Sequence, residues 1–191
     1  MYEGDEDHAD AAKFFRLREN WGFISTGHFW DVTPSLNDYL ANNVSILTID
    51  NSQLYTSARL SPLSITYYAR CLANGKYTVK LHFAEIVFRG NRSSYSLGRR
   101  IFDVYVQEKL VRKDFDIENT AQGVDKAVVE KIKAVVTNKV LMIHFYWAEK
   151  GTTAAPTRGI YGPLVSAISV KSGKCLEIEN LIVVELLPCS D

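Results

Sequence analysis

Between Tyr77 and Phe83 the chain alternates strictly. Tyr77, Val79, Leu81 and Phe83 fall on one side, and Thr78, Lys80 and His82 on the other. A period of two is the signature of a β-strand, and a strand that is apolar on one face needs a second layer to cover it. Similar segments follow one another along the chain. Val44–Ile49 and Leu63–Leu72 are rich in β-formers, and Arg100–Ile117 reads as strand, turn, strand with Gln107 and Glu108 at the bend. Lys126–Asn138 fits either a helix or a strand, and its β-rich surroundings favour a strand. Lys139–Ala148 and Leu164–Ser172 are further strands. Asn74-Gly75, between two apolar runs, predicts a hairpin turn. Only residues 8–19 offer a modest helical alternative, and residues 18–32 read as an ordered loop with short extended pieces. Many short strands with polar turns predict an all-β fold, a β-sandwich or jelly roll.

At 191 residues the chain is long enough to bury a core without covalent staples. Lys plus Arg and Asp plus Glu number 22 each, so no net field draws nucleic acid or an anionic membrane. No run approaches the ~20 apolar residues of a membrane span, so no membrane insertion by this chain is expected. The opening residues are acidic and polar, unlike a secretory leader. Cys71, Cys175 and Cys189 form no ligand cluster with the four histidines, so no metal site is predicted. Phosphate-binding glycine loops and nucleophile elbows are absent, and neither a cofactor nor an enzymatic activity is expected.

Two sets of polar residues invite a catalytic reading. His82 and Glu85 stand three residues apart, which on a strand means opposite faces and excludes a dyad between them. His82 is then expected as a surface imidazole. Glu85 extends the apolar face, where a carboxylate needs a partner; Arg59, Arg99 and Arg100 are the candidates. Asp114, Asp116 and Glu118 would share one face of a strand, solvated or hydrogen-bonded. Asn43 and Asn91 each open an Asn-x-Ser sequon and are candidate glycan acceptors.

The phrases "NWGFISTGHF", "GKYTVKLHFAEI", "LGRRIFDVYVQEKLVRKDFDI" and "RGIYGPLVSAISV" are long and specific. Through them the chain resembles the malectin domain of plant leucine-rich-repeat receptor kinases. The resemblance covers about Tyr2 to Val170 and implies a malectin-type, lectin-like β-sandwich on the extracellular side of the plasma membrane. It sets residues 1–172 as the domain, lacking the family's first strand, and 173–191 as a divergent tail. It implies no kinase activity in this chain. Animal malectin, a more distant resemblance, binds a glucose disaccharide through aromatic residues on loops at one end and an aspartate. Position by position, those residues fall on Trp21, Leu60, Val87, Phe88 and, for the aspartate, near Gly162. Trp21 and Phe88 keep their rings; Leu60, Val87 and Gly162 are losses. Sugars stack on flat rings and bond to polar groups, which makes Trp21, Phe88 and Tyr161 the candidate rings and Arg59 and Glu85 the candidate polar contacts. Phe83 and Phe102 are expected to pack in the core. The implied ligand is a cell-wall oligosaccharide such as a glucan fragment. A co-receptor protein or peptide ligand is the alternative.

Overall fold

The computed structural model describes residues 2–3, 13–17, 20–27, 39–42, 52–89, 98–151, 161–173 and 179–183. Its strands are β1 (Tyr2–Glu3), β2 (Lys13–Leu17), β3 (Trp21–Thr26), β4 (Leu40–Asn42), β5 (Ser57–Leu60), β6 (Ser64–Ala69), β7 (Gly75–Ala84), β8 (Arg100–Val106), β9 (Lys109–Phe115), β10 (Ala127–Val136), β11 (Leu141–Gly151), β12 (Leu164–Val165), β13 (Ala167–Ser172) and β14 (Glu179–Val183). One short helix, α1 (Ile117–Ala121), and a 3₁₀ turn at Ser52–Tyr55 complete the described elements. The expected all-β sandwich is what the chain forms. A five-stranded sheet in the order β1-β14-β13-β7-β10 packs against a six-stranded sheet in the order β2-β3-β6-β11-β8-β9. A small third sheet, β12-β5-β4, lies to one side.

The core follows from alternation. Val79, Leu81 and Phe83 of β7 point inward, as do Phe102, Val104 and Val106 of β8 and Leu141, Ile143 and Phe145 of β11. Phe83 meets rings from the opposite sheet, 5.9 Å from Phe102, 5.9 Å from Phe145 and 4.9 Å from Phe115. Tilted and edge-on contacts of this kind add to the stabilisation from area burial alone. Phe83 and Phe102 therefore pack in the core as expected, facing each other across the sandwich.

Four local expectations are corrected. Asn74-Gly75 is no hairpin, because β6 belongs to the six-stranded sheet and β7 to the five-stranded one. The turn instead carries the chain from one layer to the other, with Leu72 buried on the way. Within residues 18–32, expected as an ordered loop with short extended pieces, residues 21–26 form a full strand, β3, paired with β2 and β6. Lys13–Leu17, inside the helical alternative, is strand β2. Asp114, Asp116 and Glu118 do not share a strand face, because β9 ends at Phe115 and Asp116 caps α1. The bend at Gln107 and Glu108 is a tight turn with both residues left-handed (φ 50° and 62°), which joins β8 and β9 as expected. Val44–Ile49, Asn43, Asn91, Cys175 and Cys189 lie outside the described residues. Residues 179–183, unplaced by sequence pattern, pair with β13 as β14.

His82 is not a surface imidazole. It points away from the core, but the 3₁₀ turn at Ser52–Tyr55 covers that face, and Tyr55 Oη lies 3.0 Å from His82 Nδ1. The ring is 8% exposed, and burial, with Lys80 nearby, lowers its pKa to about 4.

Candidate functional site

Strand register places Trp21 and Phe88 at opposite ends of the sandwich. β3 runs from Trp21, opposite Ala69, to Thr26, opposite Ser64. Ser64 pairs with Tyr146 on β11, and farther along β11 Gly151 lies opposite Arg100. Arg100 stacks its guanidinium on Phe88, with Cζ 4.9 Å from the ring centroid. Phe88 thus belongs to the Thr26 end, and five strand residues, roughly 17 Å, separate that end from Trp21. Trp21 is buried in the core cluster, so it packs and cannot share a ligand platform with Phe88.

The other polar candidates are interior too. Arg59 is fully buried on β5, with its Cζ 4.8 Å from the Phe23 centroid. Glu85 Oε2 accepts from Arg100 Nε at 2.8 Å, and side-chain exposures are 2% and 1%. Glu85 Oε1 accepts the backbone N–H of Val87 and of Phe88, each at 2.9 Å. Arg100 Nη1 donates to Gly162 O at 2.5 Å. Of the three arginines considered for Glu85, Arg100 is the partner. The carboxylate closes the turn after β7 and ties it to the segment before β12. Phe88 lies flat in that bracket, and Gly98 is required beside it: a Cβ there would stand 2.7 Å from the Phe88 ring. Glu85 and Phe88 therefore build the end of the sandwich, Arg59 packs in the interior, and none of the three offers a free surface to a ligand. Tyr161 remains half-buried, its ring 5.7 Å from that of Trp147. Trp147 is opposite Phe102 on β8, at this same end.

Beside the bracket lies a cleft of about 450 Å³, lined by Gly98, Arg99, Asp116, Glu118, Asn119, Gln122 and Gly123. That volume falls in the usual range for small-molecule sites. Asp116 organises one wall. Its Oδ1 accepts Asn119 N–H at 2.9 Å as the N-cap of α1, and its Oδ2 takes Arg99 Nε at 2.6 Å. The helix ends on Gln122 in the left-handed region (φ 57°). Strand alternation places Asp116 on a strand and so hides the cleft; an aspartate before a short run ending in Gln-Gly carries a recognisable helix-cap signal. Asp116→Ala removes both bonds and is expected to cost about 1 kcal/mol, read from the urea midpoint; Asp116→Asn, which can still cap, should lose less.

Among the described residues no group of three or more His, Cys, Asp or Glu is placed to hold a metal ion. No described helix is long and apolar enough to cross a membrane.

The malectin-domain family matches residues 2–168. The chain is 45% identical over 175 residues to a probable leucine-rich-repeat receptor-like serine/threonine kinase of Arabidopsis thaliana, At1g07650, covering 89% of this chain and 17% of that protein. It is 47% identical over 174 residues to another, RFK1, covering 90% of this chain and 17% of that one. It thus spans about a sixth of the length of these curated relatives. Among solved structures, the receptor-like kinase FER in complex with the plant peptide RALF23 and with LLG2 shares the fold, with a TM-score of 0.51 at 19% identity over 70% of this chain and 32% of that one. By sequence and by fold, the chain belongs to the malectin-domain family and corresponds to the malectin segment of plant leucine-rich-repeat receptor-like kinases.

Proposed function

We propose that this domain is a non-enzymatic recognition module on the extracellular side of a plant receptor kinase and that it binds a neutral oligosaccharide at the α1 end. The observation that carries this reading is the polar cleft of about 450 Å³ lined by Arg99, Asp116, Glu118, Asn119 and Gln122. Planar amide, carboxylate and guanidinium groups converging in a concavity suit a ligand rich in hydroxyls. The Arg99–Asp116 pair is internally neutralised, and Glu118 leaves the lining net negative, which disfavours acidic sugars. Trp147 and Tyr161 stand at this end as partly exposed rings in contact with each other, and sugars stack on such rings. Glu85 and Phe88 act behind the surface by holding its shape. Asn43 and Asn91 are glycan acceptors in this extracellular setting.

A second reading is a peptide or co-receptor site. The fold neighbour FER, whose complex holds the peptide RALF23 and LLG2, supports it. Calorimetric titration with a panel of gluco-oligosaccharides separates the two. Binding heat is expected, and it should fall at least about tenfold in affinity in an Asn119→Ala/Gln122→Ala variant whose urea midpoint is unchanged. Silence across the panel, with binding to RALF23 and LLG2 instead, would overturn the sugar reading in favour of the second.

A further inference from the structure

The outer face of the five-stranded sheet carries a concentration of positive charge unlike the neutral chain as a whole. Register places Lys76 and Lys80 of β7 and Lys131 and Lys133 of β10 on this face, across two adjacent strands. All four are exposed. Lys133 Nζ donates to Thr78 Oγ1 at 2.7 Å, which holds one of these charges in place above the sheet.

β10 is the terminal strand of that sheet and pairs only with β7 among the described residues. The hydrogen bonding fixes which of its backbone groups face outward. Lys76 O accepts from Gly173 N and His82 O accepts from Ser166 N, both on the β13 side of β7. The even-numbered residues of β7 therefore turn their backbone groups away from β10. Their partners on β10 are Val129, Lys131, Lys133 and Val135; these direct N–H and C=O to the open edge. The Val135 carbonyl confirms the parity and is already taken, accepting from the Gln107 side chain at 3.2 Å. The same four residues place their side chains on the lysine-bearing face, with Val129 41% and Val135 55% exposed.

We propose that the β10 edge takes up an extended acidic segment of a partner protein as an added antiparallel strand. An open edge supplies main-chain hydrogen bonds, and cross-strand pairs supply selectivity. Opposite Val129, Lys131, Lys133 and Val135, the favoured sequence reads apolar, acidic, acidic, apolar at alternate positions. A second copy of this chain is disfavoured as the occupant: the high-overlap antiparallel pairing of β10 with itself about Ile132 sets Lys131 against Lys133, like charge on like. Glu130 does not compete from the other face, where it pairs with Arg112 at 2.8 Å.

The test uses the full chain and the synthetic peptide Val-Thr-Glu-Thr-Glu-Thr-Val. On addition of the peptide, amide exchange is expected to slow at Val129, Lys131 and Lys133, whose N–H groups face the edge, with little change at Val128 and Glu130. A Lys131→Glu/Lys133→Glu variant should bind this peptide at least about tenfold more weakly. It should also bind the charge-swapped Val-Thr-Lys-Thr-Lys-Thr-Val, a rescue that loss of fold could not produce. Unprotected edge amides at saturating peptide, or an affinity indifferent to both charge reversals, would overturn the proposal. So would binding of a polyuronate to the lysine face with the edge amides still exchanging freely.

Discussion

Truncating Glu85 to alanine is expected to destabilise the domain by about 3–5 kcal/mol, the range for breaking one side of a buried ion pair. Glu85 and Arg100 are almost wholly enclosed. The substitution takes the carboxylate away from a buried guanidinium, that of Arg100, which also touches the Gly162 carbonyl and the face of Phe88. It also strips acceptors from the N–H groups of Val87 and Phe88, and an unmade buried hydrogen bond carries its own penalty. Urea unfolding monitored by tryptophan fluorescence measures the loss. The double variant Glu85→Gln/Arg100→Met tests the cause. It removes both charges at similar volume, and it should be markedly more stable than Glu85→Ala, because the penalty is that of an orphaned charge. If the double variant is as unstable as the sum of the two single ones, charge pairing is not what holds this end together.

The second large effect is on pH dependence, through His82. Burial, helped by Lys80, holds its folded-state pKa near 4, against 6.5 for the free side chain. The unfolded chain therefore takes up a proton in a range where the folded chain does not. Above about pH 6.5 both states hold a neutral ring and stability is unaffected. As pH falls from 6.5 toward 4, stability is lost at up to about 1.4 kcal/mol per unit, reaching roughly 3 kcal/mol at pH 4. Below that both states are protonated, and this contribution levels off. The carboxylates titrate at the lower end of the range, and burial lowers the pKa of His144 as well. The informative quantity is thus the difference between the wild-type domain and His82→Gln, measured by urea unfolding from pH 7 to 5. The slope should be shallower in the variant. Tyr55→Phe removes the hydrogen bond at Nδ1 but leaves the ring covered, so it should keep most of the slope. Equal slopes in wild type and His82→Gln would show that the ring is solvated.

The strands of this domain were legible because alternation is a local property. Val79, Leu81 and Phe83 announce their shared face whatever lies elsewhere in the chain, and so do Phe102, Val104 and Val106. The family could be recognised for the same reason, since phrases such as "KLHFAEI" and "RRIFDVYV" encode core faces. The carboxylate at position 85 could be assigned a need for a partner, because a charge on an apolar face has no other stable outcome. Which arginine answers it could not be read, since Arg100 reaches Glu85 only when β8 and β7 face each other across the sandwich.

The sites resisted sequence reasoning for a related reason. Trp21 and Phe88 fall together in one family pattern because both are aromatic, yet register sets them at opposite ends. His82 was expected in water because it alternates with core residues. Alternation only says that a side chain faces away from the core; a 3₁₀ turn from another part of the chain decides that this face is covered. Asn74-Gly75 has the chemistry of a hairpin, and the partition of β6 and β7 between two sheets turns it into a crossing. By itself the sequence determined the class of fold, the core face of β7 and the need of Glu85 for a partner, because each depends on residues close along the chain. The tertiary structure alone decided which strands pair, which polar faces are covered and where a cleft opens. Those outcomes depend on contacts between segments far apart in the chain, and no local pattern encodes them.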